Sequence, residues 1–541
     1  MYKRQVVFLF FVSDCDPNGK EKTLANISRL VDNTGENVQV IAISDSKERL
    51  DISPSKLNRL KIFNRNFKNI LHALLGVKDE LSGDVELIFI PTPGDEILVD
   101  NSTIEYFLHA YAITKAGFII SNHFEIISGE HRILQKLKSG DDPSNIIIPG
   151  RQNSPMLFCH GSIIAISREY INENVINPNV NFGYDYALRM GVLGEKGSIF
   201  TINIPTYSFK RGKPFYPGAG LQEKFKKDYR SAGNPHFSYI FDPARFEWCN
   251  IIFKKYLKKR GYYLPENYFS KPGAKTSPNG ISFVMPTYNR GALLKHGLDS
   301  FLNVAKTFGQ SVPVEMVIVD NGNDNTPTIV KPYTEKYPKL FQYYKVSGLT
   351  LGAVRNFGVK KSKYNIIGQL DSDDVFYGDP VIEIFEQFKK TNAAMIIGTY
   401  KTASRDPETG ELILDDQTIV HDEFLVHYNN PLLQFCIPGP GAPRYYRKEV
   451  LEEVGGFPDL LYGEDSVLSD KIIKEGYIIK RNLSSPKYIA VRHGANTDAQ
   501  SISLDLLIEK NRAKYLARAS IMEEIKHIID SNPDLKKYQE S

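Results

Sequence analysis

Unbroken apolar runs that stop abruptly at acidic or polar loops occur in two separated parts of the chain. In the first, VVFLFFV (6–12) runs into Ser13-Asp14, VIAIS (40–44) into Asp45, and IFIPTP (88–93) into Gly94-Asp95-Glu96. In the second, ISFVMP (281–286) leads into Thr287-Tyr288-Asn289-Arg290, EMVIV (315–319) into Asp320, and IIGQL (366–370) into Asp371-Ser372-Asp373-Asp374. Runs of this kind, rich in β-branched and aromatic residues, predict strands buried on both faces. Residues 291–307 and 381–390 instead place apolar side chains at helical spacing. Strands alternating with helices predict an α/β fold, a mostly parallel sheet between helical layers, which binds ligands beyond the carboxyl ends of its strands. The loops after residues 286, 320 and 370 are where chemistry is expected.

The two stretches correspond to each other. Asp320 pairs with Asp45, Asp373 with Asp95, Gly441 with Gly161 and Asp465 with Asp185, each pair about 280 residues apart with little drift. This spacing predicts a duplicated domain. Composition sets its limits: a first copy at 1–210, a linker at 211–275 rich in Gly, Pro, Lys and aromatics, a second copy at 276–500, and a helical extension at 501–541. Within the linker, 244–260 reads as an amphipathic helix carrying the only tryptophan, Trp248, and 271–280 (KPGAKTSPNG) as a loop. The C-terminal extension is expected to pack on the second copy. These two helical segments also leave room for a homodimer.

Composition narrows the class. The chain has 541 residues, 42% hydrophobic and 24% charged, with a net charge of +4; this is the balance of a globular protein, not of a disordered or fibrous one. A nucleic-acid binder of this size carries a larger basic excess, and Lys254-Lys255 and Lys258-Lys259-Arg260 read as a solvated helix face. Cys15, Cys159, Cys249 and Cys436 have neither zinc nor disulfide spacing, so free thiols in a reducing, cytoplasmic setting are expected. No run approaches the ~20 apolar residues of a membrane helix, which leaves a peripheral association with the inner membrane face. Lys3-Arg4 ahead of residues 6–12 imitates a signal peptide. The run is aromatic and β-branched and is followed by Asp14 and Asp16, so it reads as a buried first strand.

Asp371-Ser372-Asp373-Asp374 sets three carboxylates within four residues at a strand end. A hard divalent cation neutralises such a cluster and bridges to phosphates; a solvated acidic turn is the plainer account. The companion motifs decide between them. PTYN (286–289), VDNGNDN (319–325), AVRNFG (353–358), DSDD (371–374) and GED (463–465) stand in one order. Over residues ~281–500 this half resembles the family-two glycosyltransferases of the GT-A fold, whose pattern runs PxYN, VDxGSxD, ARNxG, DxD and ED. The resemblance implies two tandem GT-A domains, and transfer of a sugar from a nucleotide-diphosphate donor, often UDP, with inversion at the anomeric carbon. It implies that Pro286, Tyr288, Asn289 and Asp320 line the nucleoside pocket, with Asp320 accepting from the base. Arg355 and Asn356 lie beside the nucleotide and Asp371 near the ribose. Asp373, with Asp371 and His493, holds Mn²⁺ or Mg²⁺. Asp465 is the general base, which Glu464 orients or which it joins in contacting the acceptor. Gly439–Ala442 resembles an acceptor-side loop. The acceptor stays open among glycans, lipid-linked glycans, protein side chains and modified bases.

The first copy departs from this pattern. Pro93 stands at the position of Asp371, Asp95 and Glu96 at those of Asp373 and Asp374, and Tyr184 at that of Glu464, while Asp185 remains. Nothing answers His493, though Lys210 and Arg211 could replace a cation on a diphosphate. The expectation is a degenerate module beside an active one. A tandem polymerase with both copies active is the alternative. From other classes, a nucleotidyltransferase would carry a Gly-rich basic loop after its first strand, and a carbohydrate-binding scaffold would not keep all the second copy's motifs.

Overall fold

The computed structural model describes residues 5–12, 17–34, 38–44, 59–64, 67–81, 83–128, 131–135, 163–180, 184–210, 243–274, 276–405, 411–414, 442–482, 487–492 and 504–539. They form two units, Met1–Gly261 and Tyr262–Gln539. The strands of the first are β1 (Gln5–Phe11), β2 (Val38–Ser44), β3 (Leu60–Asn64), β4 (Val85–Pro91), β5 (Glu96–Leu98), β6 (Phe118–Ser128), β7 (His131–Gln135), β8 (Ile163–Ser167) and β9 (Ile199–Lys210). Those of the second are β10 (Ile281–Thr287), β11 (Val314–Asp320), β12 (Phe341–Lys345), β13 (Ile366–Gln369), β14 (Val375–Phe376), β15 (Met395–Ile397), β16 (Tyr400–Arg405), β17 (Leu412–Leu414), β18 (Arg444–Arg447), β19 (Ile479–Arg481) and β20 (Tyr488–Arg492).

The two units repeat one topology. The first sheet runs β3-β2-β1-β4-β8-β6-β9-β5, with β7 on β6; the second runs β12-β11-β10-β13-β18-β15-β19, beside a small sheet β14-β20-β16-β17. Directions agree as well. β1 and β10 are parallel to both neighbours, while β8 and β18 are antiparallel to both. Register shifts at Ser121 to His123 mark where β6 and β9 each run through what the second unit divides into two short strands. The expected duplication and the α/β class are thus written in strand order and direction.

Burial follows the sequence pattern. All seven residues of β10 and of β11 are buried, as a central parallel sheet covered on both faces demands. Phe283 on β10 meets Phe301, Phe376 and Tyr445 edge-on, with centroids 4.9 to 6.3 Å apart. In the first unit Phe8 stacks on Phe89 at 4.5 Å. The stretch read as a linker is divided between the units. Helix Pro243–Arg260 belongs to the first, where Lys259 donates to the Asn174 carbonyl and Arg260 to that of Leu193. Residues after Tyr262 belong to the second, where the Lys271 N–H bonds the Gly476 carbonyl. Helix Leu504–Ser531 packs on helix Glu464–Lys474, burying Ile521, Met522, Ile525 and Ile529 and the ion pair Arg518–Asp470.

Candidate active site

The loops after β10 and β11 interlock. Asn289 sits at φ 53°, in the left-handed region, and its Oδ1 accepts the Asn323 N–H at 2.7 Å. A β-carbon at Gly322 would meet the Asn289 nitrogen at 2.4 Å, so this approach requires glycine. Asp324 accepts the Gly291 N–H at 2.7 Å and the Thr326 N–H at 3.1 Å, fixing the starts of two helices. Burial works to raise its pKa, but the bonds from Thr326 and Gly291 outweigh that and lower it. Tyr288 stands 63% exposed at the end of β10, a ring open for stacking. Asp320 is different. It is fully buried, and its oxygens accept from Tyr343 Oη at 2.8 Å, Lys345 Nζ at 3.0 Å and the Gly322 N–H at 2.8 Å. This carboxylate already serves the loop.

Each aspartate after β13 has its own partner. Asp371 accepts from Arg355 Nη2 at 3.1 Å, and Asp373 Oδ2 lies 3.8 Å from Arg290 Nη1. Asp374 turns inward, accepting from Tyr488 Oη at 2.6 Å and the Val491 N–H at 2.9 Å. Burial, then the charges of Asp373 and Asp371, push its carboxyl well above the usual range, which favours the protonated form. Arg355 and Arg290 thus stand against two of the three carboxylates, and the third turns inward. Asp371 and Asp373 remain as oxygen donors at the strand end. Among the described residues, no three His, Cys, Asp or Glu side chains gather as a metal centre. His493, Gly439–Gly441, Asp45 and Arg211 lie outside the described residues.

The GED segment opens a helix. Gly463, at φ 77°, precedes helix Glu464–Lys474. Glu464 is buried and accepts from Arg355 Nε at 3.0 Å, so Arg355 joins Asp371 to Glu464. Asp465 has a side chain 25% exposed; its Oδ2 bonds Arg444 Nη1 and its Oδ1 accepts the Ser466 N–H at 2.7 Å. Burial and the neighbouring Asp465 charge raise the Glu464 pKa. Burial would raise that of Asp465 too, but Arg444 and then Arg355 outweigh it and hold the group below its ordinary value. Two adjacent carboxyls are thus driven apart, one buried, the other ionised and reachable, as a general base requires.

Asn356 is occupied elsewhere. Its amide donates to the Phe457 carbonyl and accepts the Phe457 N–H, both at 2.8 Å, clamping the turn that leads to Gly463. In the first unit, Asp185 Oδ1 accepts the Tyr186 N–H at 2.9 Å, the same helix-start geometry as Asp465. Asp95 is buried, and Lys210 lies exposed at the end of β9 opposite Glu96. Sequence reasoning missed Arg290, Arg444 and Gln369. The signal for Arg444 was available in the duplication: RYYR (444–447) replaces IAIS (164–167) of the first copy.

Residues 282–455, about a third of the chain, match the family model described as glycosyl transferase family 2. The match to glycosyl transferase family 2 thus lies wholly within the second unit. Similar curated proteins include a chondroitin synthase of Pasteurella multocida, 30% identical over 26% of this chain and 14% of its own length. The poly(ribitol-phosphate) beta-N-acetylglucosaminyltransferase TarP of Staphylococcus aureus is 27% identical over 27% of this chain and 44% of its own. The minor teichoic acid biosynthesis protein GgaA of Bacillus subtilis is 24% identical over 43% and 51%. The chain thus spans 14% to 51% of the length of these relatives. Among solved structures, S. aureus TarS 1–349 in complex with UDP-GlcNAc aligns at a TM-score of 0.34 and 17% identity over 46% of this chain and 72% of that one. Among the described residues, no helix is long and apolar enough to cross a membrane.

Proposed function

We propose that the second unit transfers a sugar from a nucleoside-diphosphate donor, a UDP-sugar, to an acceptor hydroxyl with inversion, and that Asp465 is the general base. The observation that carries this is one ionic chain: Arg355 links Asp371, on the donor side, to Glu464, beside the ionised and partly exposed Asp465. In this reading Pro286, Tyr288 and Asn289 hold the base, with Tyr288 stacking on it, while Asp320 shapes the pocket from beneath. Arg355 keeps Asp371 aimed at the ribose. Asp465 takes the acceptor proton as the new glycosidic bond forms opposite the departing diphosphate, a contribution of ~10²–10⁴-fold for a positioned base. Asp373 and Asp371 are oxygen donors of the kind Mn²⁺ or Mg²⁺ takes, with His493 joining them by resemblance. Such an ion supplies charge neutralisation to the leaving diphosphate. Arg290 adds a fixed positive charge at the same place.

The test is a donor screen. Full-length protein with Mn²⁺ is offered UDP-, GDP- and TDP-sugars, and release of free nucleotide diphosphate is followed. Turnover of one UDP-sugar is expected, lost in Asp373→Ala and reduced ~10²–10⁴-fold in Asp465→Asn. No turnover of any donor, together with no binding by calorimetry, overturns the reading.

A further inference from the structure

We propose that Arg444 is the positioning residue of the transfer reaction; the inference rests on Asp465 being the general base. Arg444 lies on β18, buried to 3% exposure, between two partners. One guanidinium nitrogen holds Asp465 Oδ2, and the other donates to Gln369 Oε1 at 3.1 Å at the end of β13. Gln369 thereby fixes the arginine, which fixes the carboxylate. The Ser466 N–H holds the second oxygen, so both oxygens of Asp465 are anchored while a quarter of its side chain stays open. The equivalent end of the first copy's ladder pairs Ile90 and Pro91 with Ile164 and Ile163. None of these can hold a carboxylate; the charge acting on Asp185 there comes from the buried Arg189 of its own helix.

Orientation is the physical gain, because small misplacement of a reacting group costs about 100-fold in rate. A firmly ionised Asp465 comes with it. The charged and titratable groups acting on Asp465 are Arg444 and Tyr446 from β18, Arg355 from helix Leu351–Lys361, Lys514 from the C-terminal helix, and Glu464 beside it.

The experiment compares full-length Arg444→Lys, Arg444→Met, and Gln369→Ile combined with Arg444→Ile against wild type and Asp465→Asn. The aliphatic pair imports side chains that the first copy already packs at this place. The readouts are kcat and KM for whichever of UDP-GlcNAc, UDP-GalNAc or UDP-glucose is turned over, the acid limb of kcat, and UDP binding by calorimetry. Arg444→Met and the aliphatic pair should lose about 100-fold in kcat, with KM and UDP affinity unchanged and the acid limb moved to higher pH. Arg444→Lys should recover part of the rate. Wild-type kcat and an unmoved acid limb in Arg444→Met, with Asp465→Asn inactive, overturn the inference alone. A parallel loss of UDP binding also overturns it, because the arginine would then serve the donor site or the fold. Wild-type kcat in Asp465→Asn overturns the base assignment itself.

Discussion

Asp374, in the turn after β13, and Asp465, at a helix start, are both carboxyls whose neighbours give them opposite tasks. Asp374 faces a phenol and a backbone N–H and is driven towards protonation; Asp465 faces a guanidinium and is kept ionised. Tyr488→Phe removes the Oη that donates to Asp374 and accepts the Asp371 N–H. A buried acceptor left without its donor costs about 1–3 kcal/mol. The sign with pH follows from linkage. The folded-state pKa of Asp374 is raised, so its contribution is full below the ordinary carboxylate range and is lost as pH rises. The variant should therefore fall further behind wild type at pH 8 than at pH 5 in urea unfolding, since an ionised Asp374 would be missing its donor. A difference under about 0.5 kcal/mol at both pH values is what a surface change gives, and would refute this account. The carboxylates themselves were legible in the sequence, Asp374 because DSDD ends an apolar run and Asp465 because it stands in the GED motif. Their partners were not: Arg290, Arg355, Arg444 and Tyr488 reach them from other strands and helices, and no local pattern encodes such contacts.

β18 shows the same limit for elements. RYYR is a fully buried central strand, yet its composition suggests surface. It is stable inside because each arginine finds acceptors: Arg444 bonds Asp465 and Gln369, while Arg447 donates to the Phe388 carbonyl at 2.9 Å and lies over the Phe388 ring. The helical periodicity of the C-terminal segment was readable; its docking chemistry was not. Arg518 Nε meets Asp470 Oδ2 at 2.6 Å, with the side chains 3% and 0% exposed. Burial pushes Asp470 up to about 6 despite Arg518, so removal from water exceeds what the pair returns. Arg518→Met alone should cost about 3–5 kcal/mol, whereas Arg518→Met with Asp470→Leu should be neutral or stabilising. Chemical denaturation decides it, and a double variant as unstable as the single one would contradict the argument. Because the folded-state pKa is raised, this group's stabilising share is present below about pH 4 and fades as pH rises to about 6.

At the scale of the whole molecule, two units share one strand order but not one charge network. The first keeps the sheet, the antiparallel strand in its middle, and a helix opening on Asp185. It has Pro93, Tyr184 and Ile164 where the second has Asp371, Glu464 and Arg444. Topology survives such changes because the sheet and its core do not depend on these side chains, whereas catalysis depends on the particular groups held there. The first unit is accordingly proposed to be an accessory domain to an enzymatic second. Asp95→Asn and Asp185→Asn in the full-length protein should leave kcat and KM for the donor unchanged, in contrast to Asp373→Ala and Asp465→Asn. The competing arrangement, two active copies adding sugars in turn, makes a different forecast: a second donor would be turned over, and Asp185→Asn would silence that donor alone. Observing that selective loss would make the protein a tandem polymerase and would show that a helix-start aspartate suffices without an arginine at the place of Arg444.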